Sequence, residues 1–442
     1  MLKRILSSVT VTLLGLTGTG AAADLITDSS VDGTVQTRLR AAAPVEGYYD
    51  VGMAMKISLS AHPSVGASQA LVASSEASGR VARAGYFPKL NLSTGKVLEG
   101  RDNDNLFTVT LEQPLYTFGK ISGRVSVAEL NEVNARLDLY KEATDLTYNV
   151  AKAYISVQQY RMLTDIAKKQ LQGFGAIRVL ARDKVTAGAS AESDLTQTQT
   201  RVASAAASLH SYQAELKKWS EELSGLTAHR VSERQVLPGV TTFFHDSCKT
   251  LTSGEPVSVK KARVEMLIKE KEFELARSNM LPTVSLRATY DKGAGHRRDR
   301  DSRDDRSVSL NLSMPVSVGD FYEIEKSRYE LQNRKYHLDD VSLREKTNLN
   351  SAREQLQSYQ ELLAAARERA TAATRTRDIY REQYTRLGSR TLLDFLNAES
   401  DIHQSGIDVV MSLARIQLLN LDCLYYGSGL VSADAGIKET GK

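Results

Sequence analysis

An internal duplication constrains the fold of this chain more than any other feature of its 442 residues. Three segments of the first half recur in the second half, in the same order and about 200 residues later. The matching pairs are Ala82–Leu92 with Ala276–Leu286, Val109–Gly119 with Leu310–Gly319, and Gly188–Asp194 with Gly388–Asp394. Because three matches in one order are hard to obtain by chance, we interpret the chain as two copies of one structural unit.

Each copy contains segments in which apolar and polar residues alternate. Val308, Leu310 and Leu312, for example, alternate with serine and asparagine, which is the period-two pattern of a strand with one apolar face. The pattern predicts four strands, at about 89–98, 106–115, 283–291 and 307–315. Their lengths are near the roughly 9–11 residues that a tilted strand needs to cross a bilayer. Half-buried hairpins of a soluble domain are the alternative interpretation.

A stretch without proline follows the strands in each copy, at about 120–187 and about 320–387, and predicts a very long helix. At about 1.5 Å per residue, each helix would be on the order of 100 Å long. Apolar residues advance by three and four positions, as in the series Leu146, Val150, Ala153 and Val157. This spacing is typical of a coiled-coil seam.

Gly188 and Gly388 end the long helices, and return helices are predicted at about 191–226 and 391–424. We expect each return helix and the short helix that precedes the strands to pack end to end along the long helix. Together they supply about 57 residues, enough to cover most of its apolar stripe.

The first 23 residues have the pattern of an export signal, with Lys3 and Arg4 before an apolar stretch and three alanines before Asp24. The expected cleavage site has no cysteine, so we expect no acyl anchor. The remaining chain divides into predicted segments: a first repeat at 24–226, an equatorial linker at 227–257, a second repeat at 258–428 and a C-terminal tail at 429–442.

The chain has two cysteines, Cys248 in the linker and Cys423 near the end of the last return helix. An exported protein meets an oxidising compartment in which a disulfide persists. The sequence leaves open whether these two residues are bonded.

Composition and motifs limit the classes of function. Lys and Arg number 57 against 53 Asp and Glu, so no bulk positive field indicates nucleic-acid binding. After the signal, no apolar stretch approaches the roughly 18 residues of a membrane-spanning helix. No metal-ligand helix or phosphate-binding loop stands out, so we expect neither an enzyme nor a metal or other cofactor.

The order of these elements and the segment Tyr384–Asn397 resemble the TolC family of outer-membrane channel-tunnel proteins. The resemblance covers about residues 45–428, and Tyr384–Asn397 is its most specific part. It implies a mainly α fold with a small membrane β-barrel: a duplicated long-helix tunnel, four strands per chain, and a twelve-stranded barrel closed by a homotrimer. Open strand edges are not tolerated in lipid, so four strands per chain in a membrane would require oligomerisation.

The resemblance also implies a gate at the periplasmic tip. Asp194, Tyr384 and Arg390 match residues that hold the tunnel entrance shut, with the arginine and the tyrosine reaching the aspartate across neighbouring helices. Asp394 matches a carboxylate ring at the constriction. Asn397 stands where the best-known member has a second acidic residue, which leaves the cation selectivity of the entrance open.

Helix capping is the alternative interpretation for both aspartates. Thr391 and Asp394 have the spacing of a capping box, and Asp194 falls in the first turn of a predicted helix. Spacing alone does not decide between a cap and a gate.

From the resemblance we expect the outer-membrane component of a tripartite exporter in a Gram-negative bacterium, with a long periplasmic portion. Its expected partners are two more copies of the chain, outer-membrane lipid, a periplasmic adaptor (membrane fusion) protein and an inner-membrane exporter of the ABC type. The missing acyl cysteine favours type I protein secretion over multidrug or small-molecule efflux, so the cargo is expected to be an exported protein or, alternatively, a small molecule. A periplasmic coiled-coil adaptor without a barrel is a further alternative.

Overall fold

The computed structural model of the chain describes residues 50–96, 105–231, 255–294 and 304–427, together with Val236, Phe244 and Cys248. The predicted signal 1–23, the predicted tail 429–442 and much of the predicted linker lie outside the described residues.

The described elements repeat one order twice: two strands, a very long helix and a return helix, preceded by two short helices in the first copy and by one in the second. In chain order they are α1 (Val51–Ala61), α2 (Pro63–Ala84), β1 (Lys89–Lys96), β2 (Asn105–Tyr116), α3 (Lys120–Thr186), α4 (Glu192–Thr227), α5 (Val257–Asn279), β3 (Thr283–Ala294), β4 (Asp304–Ser313), α6 (Val318–Glu382) and α7 (Leu392–Tyr426). A π-helical turn, Gln383–Leu387, continues α6. The fold is therefore mainly helical with a small sheet. Among the helices in the described ranges, none is long and apolar enough to cross a membrane.

The four strands form one antiparallel sheet in sequence order, β1-β2-β3-β4. Cross-strand partners on one face are Leu90, Leu111, Ala288 and Val308. Partners in the adjacent row, on the opposite face, are Lys89, Glu112, Arg287 and Ser309. Because side chains of a strand alternate between faces, the sheet has an apolar face and a polar face.

The main core lies around the middle of α3. The predicted seam residues Leu146, Val150, Ala153 and Val157 are buried there. They belong to a cluster with residues of α1, α4, α7 and the linker, including Val51, Leu223, Phe244 and Leu421. The middle of α3 is thus enclosed by elements of its own chain on several sides.

A second core cluster joins α6, α7 and the linker through the two cysteines. Cys248 and Cys423 form a disulfide between residues 175 positions apart. Around it pack Ala352, Leu356, Ile416 and Leu419. The described linker position is therefore held against both helices of the second copy.

Candidate functional site

The candidate site lies where two helical hairpins end, α3 with α4 and α6 with α7. Gly188 and Gly388 occupy the turns with φ of 72° and 63°. These angles lie in the left-handed region that glycine adopts without a steric penalty. The Ala189 N–H donates to the Lys184 carbonyl at 2.8 Å, and the Ser389 N–H donates to the Gln383 carbonyl at 3.2 Å, closing the two helix ends.

A compact apolar cluster, which we call the tip core, joins the two hairpins above these turns. Its buried members are Phe174, Ile177, Ala181, Ala205, Tyr384, Leu392, Phe395 and Leu396. They come from α3, α4, the π-helical turn and α7, so both hairpins of one chain share this core.

Tyr384 lies inside the tip core and is 5% exposed. Its ring centroid lies 5.7 Å from that of Phe395. Lys184 in the last turn of α3 places its Nζ 3.8 Å from the Tyr384 ring centroid and donates to the Tyr384 carbonyl at 2.9 Å. The π-helical turn therefore presents one of its carbonyls to the other hairpin, through a lysine that the sequence analysis did not single out.

The Tyr384 hydroxyl does not form the predicted hydrogen bond with Asp194 within this chain. It is buried and has no hydrogen-bond partner among the described residues. Asp194 instead accepts a hydrogen bond from Ser190, four residues earlier in the same turn. Burial, and after it the negative charge of Asp194, raise the pKa of Tyr384 above its ordinary value. The charge of Asp194 therefore acts on Tyr384 without a hydrogen bond between the two residues.

The predicted contact between Arg390 and Asp194 is also replaced within this chain by contacts nearer in sequence. The Arg390 guanidinium donates to the Gln383 side chain at 3.0 Å and lies 3.8 Å from the Asp394 carboxylate. Both side chains of the ion pair are about two-fifths exposed, 41% and 40%. Solvent screens such a pair, so it contributes little to the stability of one chain.

Asp394 takes part in the start of α7 through its backbone. Its N–H donates to Thr391 Oγ1 at 3.1 Å, so Thr391 is the capping residue. The carboxylate of Asp394 stays exposed and faces Arg390. Helix capping therefore involves only the backbone N–H of Asp394, and its charged carboxylate remains exposed at the tip.

Asn397 connects the two hairpins through a hydrogen bond that was not predicted from the sequence. Arg201 of α4 donates to its side-chain oxygen at 3.3 Å. Arg201 carries no local signal for this role, and Lys184 shows only the general preference of basic residues for the last turn of a helix. In the part of the chain that the structure describes, no three His, Cys, Asp or Glu side chains are grouped to hold a metal ion.

Two stretches of the chain, residues 55–229 and 256–417, match the sequence model of a family described as "Outer membrane efflux protein". The chain belongs to this family. The matched stretches correspond to the two copies of the structural unit, and the gap between them falls in the linker.

A related protein and two solved structures share the family's organisation. The chain is 25% identical over 365 residues to the outer membrane efflux protein BepC of Brucella suis biovar 1 (strain 1330), an alignment covering 77% of this chain and 78% of BepC. VceC from Vibrio cholerae has a TM-score of 0.72 at 16% identity, covering 86% of this chain and 96% of VceC. The Campylobacter jejuni CmeC outer membrane channel has a TM-score of 0.74 at 12% identity, covering 89% of this chain and 87% of CmeC. At such low identity the two structures show the fold alone.

These findings confirm the predicted resemblance to TolC-like channels. Family membership indicates an outer-membrane efflux protein, and CmeC is described as an outer membrane channel. Family membership favours an outer-membrane location over the alternative of a periplasmic adaptor without a barrel.

Proposed function

We propose that three copies of this chain close a twelve-stranded barrel in the outer membrane and form a passive conduit of a tripartite exporter. The observation that carries the proposal is the apolar face of the sheet. Val308, Leu310 and Leu312 on β4 are 73%, 69% and 72% exposed. An apolar face that spans four strands and stays uncovered is suited to lipid.

The edges of the sheet support closure by further copies. β1 and β4 are the outer strands, and each has a neighbour on one side only. Four strands alternate in direction, so β4 of one copy is antiparallel to β1 of the next in a ring. Joining edges between copies satisfies the backbone groups that lipid leaves without partners.

The helices offer a matching seam between copies. Tyr322, Tyr329, Tyr336 and Leu343 recur every seven residues along α6 and are 60–67% exposed. Because α6 follows β4 and α2 precedes β1, joining these strands brings α6 of one copy beside α2 of the next. The exposed face of α2 includes small residues such as Ala67, Ser74 and Ser78, which leave room for the tyrosine rings.

The proposed assembly is tested by substitutions that place a charged side chain on either the apolar or the polar face of β4. Leu310→Asp places a carboxylate on the apolar face and is expected to abolish heat-resistant trimers in outer-membrane extracts. Ser309→Asp is the matched control, because it places the same charge on the polar face one residue away. Mass measurement of the wild type in detergent should give three copies. A stable wild-type monomer in the membrane fraction, or equal loss of trimers in both variants, would refute the proposal.

In the proposed gate, Tyr384 and Arg390 form hydrogen bonds with Asp194 across neighbouring helices of the assembled, closed tip. Among the described residues, the buried Tyr384 hydroxyl has no hydrogen-bond partner. Arg390 donates to Gln383, forms a screened pair with Asp394 and lies 4.5 Å from the Tyr380 ring centroid, all exposed or partly exposed contacts near in sequence. Charge-assisted hydrogen bonds to Asp194 across neighbouring helices would contribute about 1.5–3 kcal/mol each in a partly desolvated tip. Threefold repetition makes their sum large enough to invert a closed-open equilibrium.

The double variant Arg390→Ser with Tyr384→Phe tests the gate. It is expected to raise single-channel conductance in planar bilayers and to sensitise cells to large antibiotics, with the trimer intact. Unchanged conductance in an intact trimer would show that the closed state is held elsewhere.

Small molecules and exported proteins are the two candidate classes of cargo, and an experiment can distinguish them. BepC is described as an outer membrane efflux protein, which supports efflux, and type I protein secretion is the alternative. We propose efflux as the first candidate, with an adaptor and an inner-membrane exporter as partners. Loss of the protein should then raise intracellular accumulation of a fluorescent efflux dye. Normal dye accumulation together with loss of one protein from the culture supernatant would support secretion instead.

A further inference from the structure

A buried carboxylate lies on α7 beyond the tip residues already described. Glu399 is 4% exposed and follows Asp394 by five residues, or about 7–8 Å along the helix. Burying a charged group is costly unless partners compensate for the lost water. The surroundings of Glu399 provide such partners.

Two basic side chains of the second hairpin contact this carboxylate. His403 Nε2 lies 3.1 Å from Glu399 Oε1, and Arg377 of α6 donates to Glu399 Oε2 at 3.5 Å. The Arg377 guanidinium also lies 2.9 Å from the Asp378 carboxylate. Burial by itself would raise the pKa of Glu399, but the hydrogen bond from His403 and the charge of Arg377 outweigh burial and lower it. The carboxylate is therefore held in its charged form.

In the first hairpin, Gly173 of α3 faces this carboxylate and has no side chain to block it. A Cβ atom at this position would lie 2.1 Å from Glu399 Oε1 and 3.0 Å from its carboxyl carbon. No side chain fits at such distances, so only glycine lets the carboxylate rest on the backbone of α3. Glycine inside a helix weakens it, and Gly175, two residues on, has nothing within 4 Å of the corresponding point. The close approach is thus specific to Gly173.

We propose that Glu399 seated on Gly173 is an interlock that fixes the second hairpin against the first and thereby holds the tip closed. Gly173 belongs to the α3–α4 hairpin, whereas Glu399, His403 and Arg377 belong to the α6–α7 hairpin. Any sliding of α7 along α3 drives the carboxylate against backbone or side chains. Any separation of the hairpins removes the close packing of the carboxylate on Gly173 and exposes its charge to solvent, while His403 and Arg377 move with it. This proposal rests on the proposed gated conduit and adds positioning residues that the tip contacts do not include.

The first experiment compares Gly173→Ala with Gly175→Ala in full-length trimers. The added methyl at position 173 displaces the carboxylate, so open probability in planar bilayers should rise roughly tenfold. The same methyl at position 175 enters open space and should leave open probability unchanged. Heat resistance of the trimer is measured in parallel, because a purely structural lesion would lower it without raising conductance. Equal open probabilities for the two variants would overturn the interlock.

The second experiment tests whether the effects of Gly173 and Glu399 on open probability are coupled. In a Glu399→Ala background the methyl at position 173 has no carboxylate to displace, so Gly173→Ala should add little to the open probability of Glu399→Ala alone. Independent, multiplicative effects would overturn the proposal. If Gly173→Ala alone yields no trimer, the double variant should restore trimers, and failure to restore them would also overturn it.

The tip variant Arg390→Ser with Tyr384→Phe separates this inference from the proposed function. If that variant opens the channel and Gly173→Ala does not, the gated conduit stands and the interlock is wrong. If the wild type, the tip double variant and Gly173→Ala all form no channel, the proposed function itself is wrong.

Discussion

The disulfide between Cys248 and Cys423 gives a prediction whose magnitude follows from the chain length that it closes. The two residues are 175 positions apart. The loop-entropy relation gives about 5 kcal/mol of stabilisation for a loop of this size, and measured effects for native disulfides are commonly about 2–5 kcal/mol. Both cysteines are buried, at 7% and 0% exposed, so reduction should act after partial opening of the surrounding cluster.

We expect reductant to lower the urea midpoint of unfolding of the detergent-solubilised protein by an amount corresponding to about 2–5 kcal/mol. The experiment is done at one protein concentration, because the stability of an oligomer depends on it. The variant Cys248→Ala with Cys423→Ala is the control, since reductant has nothing to cleave in it and its midpoint should not move. On non-reducing gels the wild type should run as a compact form that reductant removes.

A wild-type midpoint that is the same with and without reductant would refute this reasoning. Labelling of both cysteines by a thiol reagent in the native, unreduced protein would refute the disulfide itself.

Two further predictions concern single carboxylates. Asp394→Ala is expected to weaken block of the channel by multivalent cations added from the periplasmic side, because its carboxylate stays exposed at the tip; unchanged block in planar bilayers would contradict this. Burial raises the pKa of Asp422 more than its hydrogen bond from Tyr148 lowers it. Its contribution to stability is therefore fully present below the unfolded-state pKa and is lost as pH rises through the higher folded-state pKa. Asp422→Asn keeps an acceptor for Tyr148 and should flatten this part of the pH profile of thermal unfolding, whereas an unaltered profile would speak against it.

Periodic patterns predicted the long helices and the small sheet that the structure contains. Alternation placed β1 at Lys89, and the apolar spacing around Val150 predicted a seam that is buried in the structure. These signals are local, since each residue's neighbours along the chain determine which face it occupies. The last turn of the second long helix shows the limit of such reasoning. The pattern predicts a helix to about 387, whereas the α-helix ends at Glu382 and continues as a π-helical turn.

The contacts of the site were less predictable because they join residues distant in sequence. Lys184 meets Tyr384 and Arg201 meets Asn397 across the two hairpins, and nothing near those residues in the sequence names the partner. Arg390 shows the opposite effect, since within one chain it binds nearby Gln383 and Asp394 in place of the more distant aspartate. Glu399 has no distinguishing pattern in the sequence, because its proposed role depends on the distant Gly173 packed against it.

The two long helices differ in how much of each is enclosed by its own chain. Most turns of the central part of α3 contain a buried residue, whereas the buried residues of α6 are Ser327, Ala352, Leu356 and Ala366. Substitutions that disrupt the buried residues of α3 should consequently destabilise the monomer itself. We expect such chains to be degraded before they assemble. Damage to the exposed surface of α6 outside the proposed seam of Tyr322, Tyr329, Tyr336 and Leu343 leaves a sound monomer that enters the proposed trimer. In a cell that makes both forms equally, only about one trimer in eight is free of damaged copies, so substitutions on this part of α6 that impair the channel should be genetically dominant and those in α3 recessive.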